Sequence, residues 1–144
     1  MVLVVDAGLL YAQADASEPR HAAVASLLRA ERGPLVTSEL AVAEADYLIL
    51  DRLGIDVELA FLEDLASGAF QVECLSRSEL DQARAIVEQY RDLAIGLTDA
   101  SLVVLAARYR TTRIGSFDAR AFRTVVPVTG GAFTLLPEDA LPAA

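Results

Sequence analysis

The sequence predicts an α/β fold, a single domain in which a mostly parallel central sheet of four to five strands is covered by helices on both faces. Three observations predict it. Short apolar runs, such as VLVV at 2–5 and LVT at 35–37, alternate with longer segments of helical period. Glycine, proline and serine punctuate the joins, at Gly33-Pro34, Gly54 and Ser67-Gly68. The composition is 54% hydrophobic with only 6% aromatic residues and a mean hydropathy of +0.40, so aliphatic side chains fill the core. At 144 residues the chain suits one domain over 1–144.

Val2 to Val5 reads as a strand buried on both faces. Ala7 to Ala14 reads as a helix, broken at Ser17-Glu18-Pro19. His21 to Ala30 is amphipathic, with Val24, Leu27 and Leu28 inward, and ends at Gly33-Pro34. After the second strand, Leu35 to Thr37, either Thr37 or Ser38 is placed to cap a helix running to about Leu53. Ile55 to Ala66 is the next helix and Phe70 to Leu75 the third strand. Ser76 or Ser78 is placed to cap Glu79 to Arg91, and Thr98 to cap Asp99 to Tyr109. Thr112 to Ser116 and a weaker Ala132 to Leu136 complete the strands, and the proline-punctuated tail is expected to fray from about 137.

No apolar run reaches the ~18 residues that span a bilayer, and MVLVVDAGLLYA lacks a basic n-region, so a cytoplasmic protein is expected. One cysteine, Cys74, excludes an internal disulfide and a cysteine zinc site, and its strand context predicts a buried, inert thiol. The net charge of −9 argues against a protein that coats nucleic acid. All twelve basic residues are arginine. Arg108, Arg110, Arg113, Arg120 and Arg123 crowd one stretch beside Asp99 and Asp118. A planar guanidinium suits phosphate, while a solvated helix face explains the cluster equally well.

Four carboxylates stand where the fold would gather them: Asp6 after the first strand, Glu44 on the third helix, Asp99 opening an apolar helix, and Asp118 after the fourth strand. Each has a plain alternative. Asp6 and Asp118 are placed as helix N-caps, and the helix dipole favours Asp99. Glu44 lies among Leu40, Ala41, Tyr47 and Leu48, where an ionised acid is costly unless paired. Asp46 has equally apolar neighbours, and periodicity does not choose between the two. Like charges at about 4 Å and an effective dielectric of about 20 cost about 4 kcal/mol, which a divalent ion removes.

The segments DAGLLYA, TSELAVAEADYLI, LTDASLVVLAARY and RIGSFDARAF together resemble the PIN-domain family, and within it the VapC ribonuclease toxins of type II toxin–antitoxin systems. The resemblance runs from Val2 to about Leu136. It implies an α/β/α sandwich and an endoribonuclease that inhibits translation. Asp6, Glu44, Asp99 and Asp118 match the family's acidic quartet, with Thr37, Thr98 and Ser116 as supporting candidates. It also implies a cognate antitoxin that inserts an arginine-bearing segment into the acidic site, and usually a homodimer.

Hard oxygen ligands suit one or two Mg²⁺ or Mn²⁺ ions. Asp6 and Asp99 are expected to bind directly, and Glu44 and Asp118 directly or through water. Arg113, Arg120 and Arg123 are the candidates for RNA phosphate. His21, on an outer helix, is not expected to act in catalysis. A phosphoacceptor module needs an acidic pair after the first strand and a lysine, both absent. A haloacid-dehalogenase-like site needs Asp-x-Asp there, and a nucleotide site a glycine-rich loop. Remaining rivals are a PIN nuclease of RNA maturation and a catalytically silent PIN-like binding module. The apolar surplus on the helices Leu40–Leu53 and Ile55–Ala66 reads first as core packing, second as a partner groove or dimer contact.

Overall fold

The computed structural model describes residues 1–140; positions 141–144, the end of the tail expected to fray, lie outside the described residues. Strands β1 (Leu3–Val5), β2 (Leu35–Ser38), β3 (Gln71–Glu73), β4 (Arg113–Gly115) and β5 (Thr134–Leu136) form one sheet in the order β3-β2-β1-β4-β5. Every pairing is parallel, with Val4 opposite both Val36 and Ile114. Each connection therefore crosses over through helices: α1 (Ala7–Ala14), α2 (His21–Ala30), α3 (Glu39–Leu53), α4 (Ile55–Ala66), α5 (Arg77–Gln89), α6 (Leu97–Arg108) and α7 (Ala119–Phe122). Strand order reverses between β1 and β4, and their carboxyl ends open the crevice where such sheets carry their chemistry.

Leu3, Val4 and Val5 are wholly buried, as a central parallel strand requires. Helix α6 is buried at every position from Ala100 to Ala106, so it is a core element and not a surface helix. Gly115 leaves room for α1: a Cβ there would lie 2.5 Å from Leu9 Cδ2, so a larger residue would push the buried Leu9 side chain aside. Gly54, at φ 89, lets the chain turn sharply from α3 into α4.

Several expectations need correction. Thr98 caps nothing: α6 starts at Leu97 with Gly96 as its N-cap residue and no side-chain cap. Cys74 lies beyond the short edge strand β3 and is exposed, because β3 has a neighbour on one side only. A hydrogen bond with Glu39 raises its thiol above the ordinary range, which keeps it a poor nucleophile. Core packing does not absorb the apolar surplus of α3 and α4, since Tyr47 (70%), Leu50 (45%), Leu59 (55%) and Leu62 (41%) remain exposed. Residues 137–140, the described part of the tail, are tied to β5. Asp139 accepts from the Leu135 amide and from Arg123, closing a turn after β5.

Candidate active site

Asp6 sits immediately after β1 and is only 8% exposed. Its amide donates to the Gly115 carbonyl (2.8 Å), tying it to β4. Its Oδ1 accepts from the Ala7 amide (2.7 Å) at the start of α1, and its Oδ2 accepts from the Ser116 hydroxyl (2.7 Å). Capping therefore occupies one oxygen only. The same Ser116 oxygen accepts the Asp118 amide (3.0 Å), and Asp118 Oδ1 caps α7 through the Ala121 amide (3.1 Å). Ser116 thus joins two acids from opposite ends of the chain.

Thr37 acts further back, donating to the Val5 carbonyl (2.7 Å) and so fixing the end of β1. The cap of α3 is Ser38, which accepts from the Ala41 amide (3.1 Å). Its hydroxyl lies 2.9 Å from the buried Ser101 hydroxyl of α6, which also meets the Thr98 carbonyl (2.6 Å). This serine pair sets α3, carrying Glu44, against α6, carrying Asp99. Sequence reading missed Ser101. Its only signal was a polar residue inside an otherwise apolar helix, where a core position demands a partner.

Glu44 and Asp46 have different neighbours in the fold. Glu44 is exposed and its charge acts on both Asp6 and Asp99. Asp46 turns away towards α4, where it raises the Glu58 carboxyl above its usual range through a shared hydrogen bond. One Asp46 oxygen, Oδ1, is buried without a hydrogen-bond partner among the described residues. The costly acid on an apolar face is thus Asp46, outside the cluster.

The four acids act on one another through repulsion. Burial pushes the Asp6 carboxyl up, opposed by its Ser116 and Ala7 hydrogen bonds and reinforced by Glu44 and Asp118. The Asp99 carboxyl is pushed up to about 7, by burial first and then by Asp6, Asp118 and Glu44, with Arg120 opposing. Asp99 is raised despite the helix dipole of α6, so burial together with the neighbouring acids outweighs the dipole. No three carboxylates among the described residues stand close enough to form a closed metal cage. Glu44 is exposed and Asp118 half-buried, so both side chains have room to turn. An all-oxygen, uncompensated acid set suits a hard divalent cation.

The expected arginine group divides. Arg113 lies at the amino end of β4, away from the carboxyl ends where Asp6 sits, and forks onto Glu31 (2.7 and 2.7 Å). Arg123 forks onto Asp139, and Arg108 is held by Glu73, Glu79 and the Cys74 carbonyl. Arg120 is exposed and alone of these tempers Asp99. The His21 ring meets the Ala12 carbonyl (2.7 Å), a bond between α1 and α2.

A family model described as PIN domain matches residues 3–126. Ribonuclease VapC26 of Mycobacterium tuberculosis (strain ATCC 25618 / H37Rv) is 44% identical over 135 residues, covering 94% of this chain and all of that protein. The crystal structure of Mycobacterium tuberculosis VapC20, described as a sarcin-ricin loop cleaving toxin, matches with a TM-score of 0.77 at 19% identity. That match covers 88% of this chain and 98% of the other. A toxin–antitoxin complex from Klebsiella pneumoniae matches with a TM-score of 0.65 at 16% identity, over 85% of this chain and 92% of that one. At such identities these two structures speak for the fold.

Proposed function

Because the chain belongs to the PIN-domain family, we propose that it is a divalent-metal-dependent endoribonuclease, the toxin of a toxin–antitoxin pair, which hydrolyses RNA phosphodiester bonds and so inhibits translation. The observation that carries this reading is the Asp99 carboxyl, raised to about 7 by burial and by three neighbouring acids. Such a cluster is unfavourable by itself and favourable around a cation.

Asp6 and Asp99 are the direct ligands in this reading, and Glu44 and Asp118 bind directly or through water. Mg²⁺ or Mn²⁺ held there supplies the positive charge that acidifies an attacking water and stabilises the leaving oxygen. The chain's own part is orientation. Ser116 fixes the Asp6 carboxylate, Thr37 fixes the strand end beneath it, and the Ser38–Ser101 contact fixes Glu44 relative to Asp99. Arg120 sits where it can meet the incoming phosphate chain, in line with its influence on Asp99.

A cognate antitoxin is the proposed partner, and its arginine would neutralise the acid cluster in place of the metal. The exposed Tyr47, Leu50, Leu59 and Leu62 of α3 and α4 supply apolar area for that contact. A homodimer and a cytoplasmic location complete the proposal. Among the described residues no helix is long and apolar enough to cross a membrane.

The test is cleavage of a mixed RNA pool with Mn²⁺, with and without EDTA, by the wild type and by Asp6→Asn and Asp99→Asn. The reading expects cleavage by the wild type with metal alone. Cleavage that persists in EDTA, or in both variants, contradicts it.

A further inference from the structure

The rim of the acidic cluster carries an arginine that sequence proximity did not reveal. Arg20 belongs to the turn before α2, yet its guanidinium carbon lies 3.7 Å from the centre of the Phe117 ring. Phe117 stands between Ser116 and Asp118, and its Cδ2 lies 3.5 Å from where a Cβ would sit on Gly8, in the first turn of α1. The ring therefore lies near the segment that follows Asp6 and presents a face to Arg20. A guanidinium this close to an aromatic face is held by cation–π attraction and van der Waals contact.

The second anchor is Glu18, whose Oε1 accepts from Arg20 Nε (3.0 Å). Neither Nη nitrogen has a protein acceptor among the described residues, and the side chain is 54% exposed. Arg20 is thus held by Glu18 at Nε and by Phe117 at the guanidinium face. The cation that tempers Asp99 is Arg120. Two donors of a planar fork are left facing solvent at the edge of an anionic site whose substrate is itself a polyanion.

We propose that Arg20, seated on Phe117 beside Asp118, is a positioning residue that grips an RNA phosphate adjacent to the one being cleaved. The inference rests on the reading of the acidic cluster as an RNA-cleaving centre. Two parallel N–H groups of the fork match two phosphate oxygens. Phe117 supplies the seat and Glu18 the angle.

Binding of a fluorescein-labelled single-stranded RNA oligonucleotide, followed by anisotropy in calcium across a series of salt concentrations, tests this apart from cleavage. Arg20→Ala should weaken binding about tenfold at low salt and reduce the slope of log affinity against log salt by about 0.7, one phosphate contact on a single strand. Arg20→Lys should recover the slope and only part of the affinity. Phe117→Leu should weaken binding while keeping the slope, because the charge stays and its seat is lost. An Arg20→Ala slope equal to that of the wild type overturns the assignment, as does a wild type that fails to bind RNA. Cleavage in manganese is scored separately. A wild type that binds RNA through Arg20 but never cuts removes the nuclease reading and leaves this contact standing.

Discussion

The Ser116 hydroxyl donates to Asp6 Oδ2 across 2.7 Å, joining residues 110 positions apart in the chain. The bond lowers the Asp6 carboxyl against the upward push of burial, and so favours the ionised form that a metal requires. It also leaves the serine oxygen to accept the Asp118 amide. One hydroxyl therefore sets both the charge and the orientation of the cluster.

Ser116→Ala should accordingly weaken Mn²⁺ affinity by about 10- to 100-fold, the usual cost of losing a residue that orients a metal ligand. Calorimetric titration of manganese into the variant checks this. Affinity equal to that of the wild type would show that Asp6 holds its position without help.

The pH dependence of the metal-free protein follows from Asp99. Its folded value of about 7 stands above the ordinary 3.8, so its contribution to stability is complete below the ordinary value and is lost as pH rises to about 7. In EDTA, the wild type should melt lower at about pH 8 than at about pH 5, and Asp99→Asn should flatten that decline. Manganese should restore the loss in the wild type alone. A variant with the same pH slope in EDTA would place the repulsion elsewhere.

Asp46 and Glu58 provide the contrasting case. Glu58 is raised by its hydrogen bond with Asp46, so stability from this contact also declines as pH climbs through the raised value. Glu58→Gln supplies a permanent donor and should reduce that sensitivity in melting curves. Because Asp46 faces away from the cluster, Asp46→Asn should retain RNA cleavage. Loss of cleavage with the fold intact would bring Asp46 back into the site.

Much of this was legible in the chain, and the failures share a physical cause. Val2–Val5 could be read as a buried strand from its apolar run, whereas the grouping of Asp6, Glu44, Asp99 and Asp118 came from the family motif, since periodicity left Glu44 and Asp46 open. What depended on tertiary partners was hidden. Arg113 and Arg123 look free in sequence, yet Glu31 and Asp139 take them. Cys74 looks buried until β3 proves to be an edge strand. Thr98 has the chemistry of a cap, but α6 begins one residue ahead of it.

The arginines yield a prediction of the same kind. Arg120→Ala should weaken RNA binding and flatten its salt dependence, because that side chain is exposed beside Asp99. Arg113→Ala should instead lower thermal stability by breaking its partly buried fork with Glu31, with RNA binding unchanged. A reversed pattern in anisotropy and melting would mean that the phosphate path runs over the other end of the sheet.

Anomalous diffraction from crystals grown with manganese tests the central idea most directly: distant acids form one pocket completed by a divalent ion. The expected result is a peak at bonding distance from carboxylate oxygens of both Asp6 and Asp99, with Glu44 or Asp118 turned towards it. A peak that touches neither aspartate, or a fully loaded crystal with the cluster vacant, would contradict it.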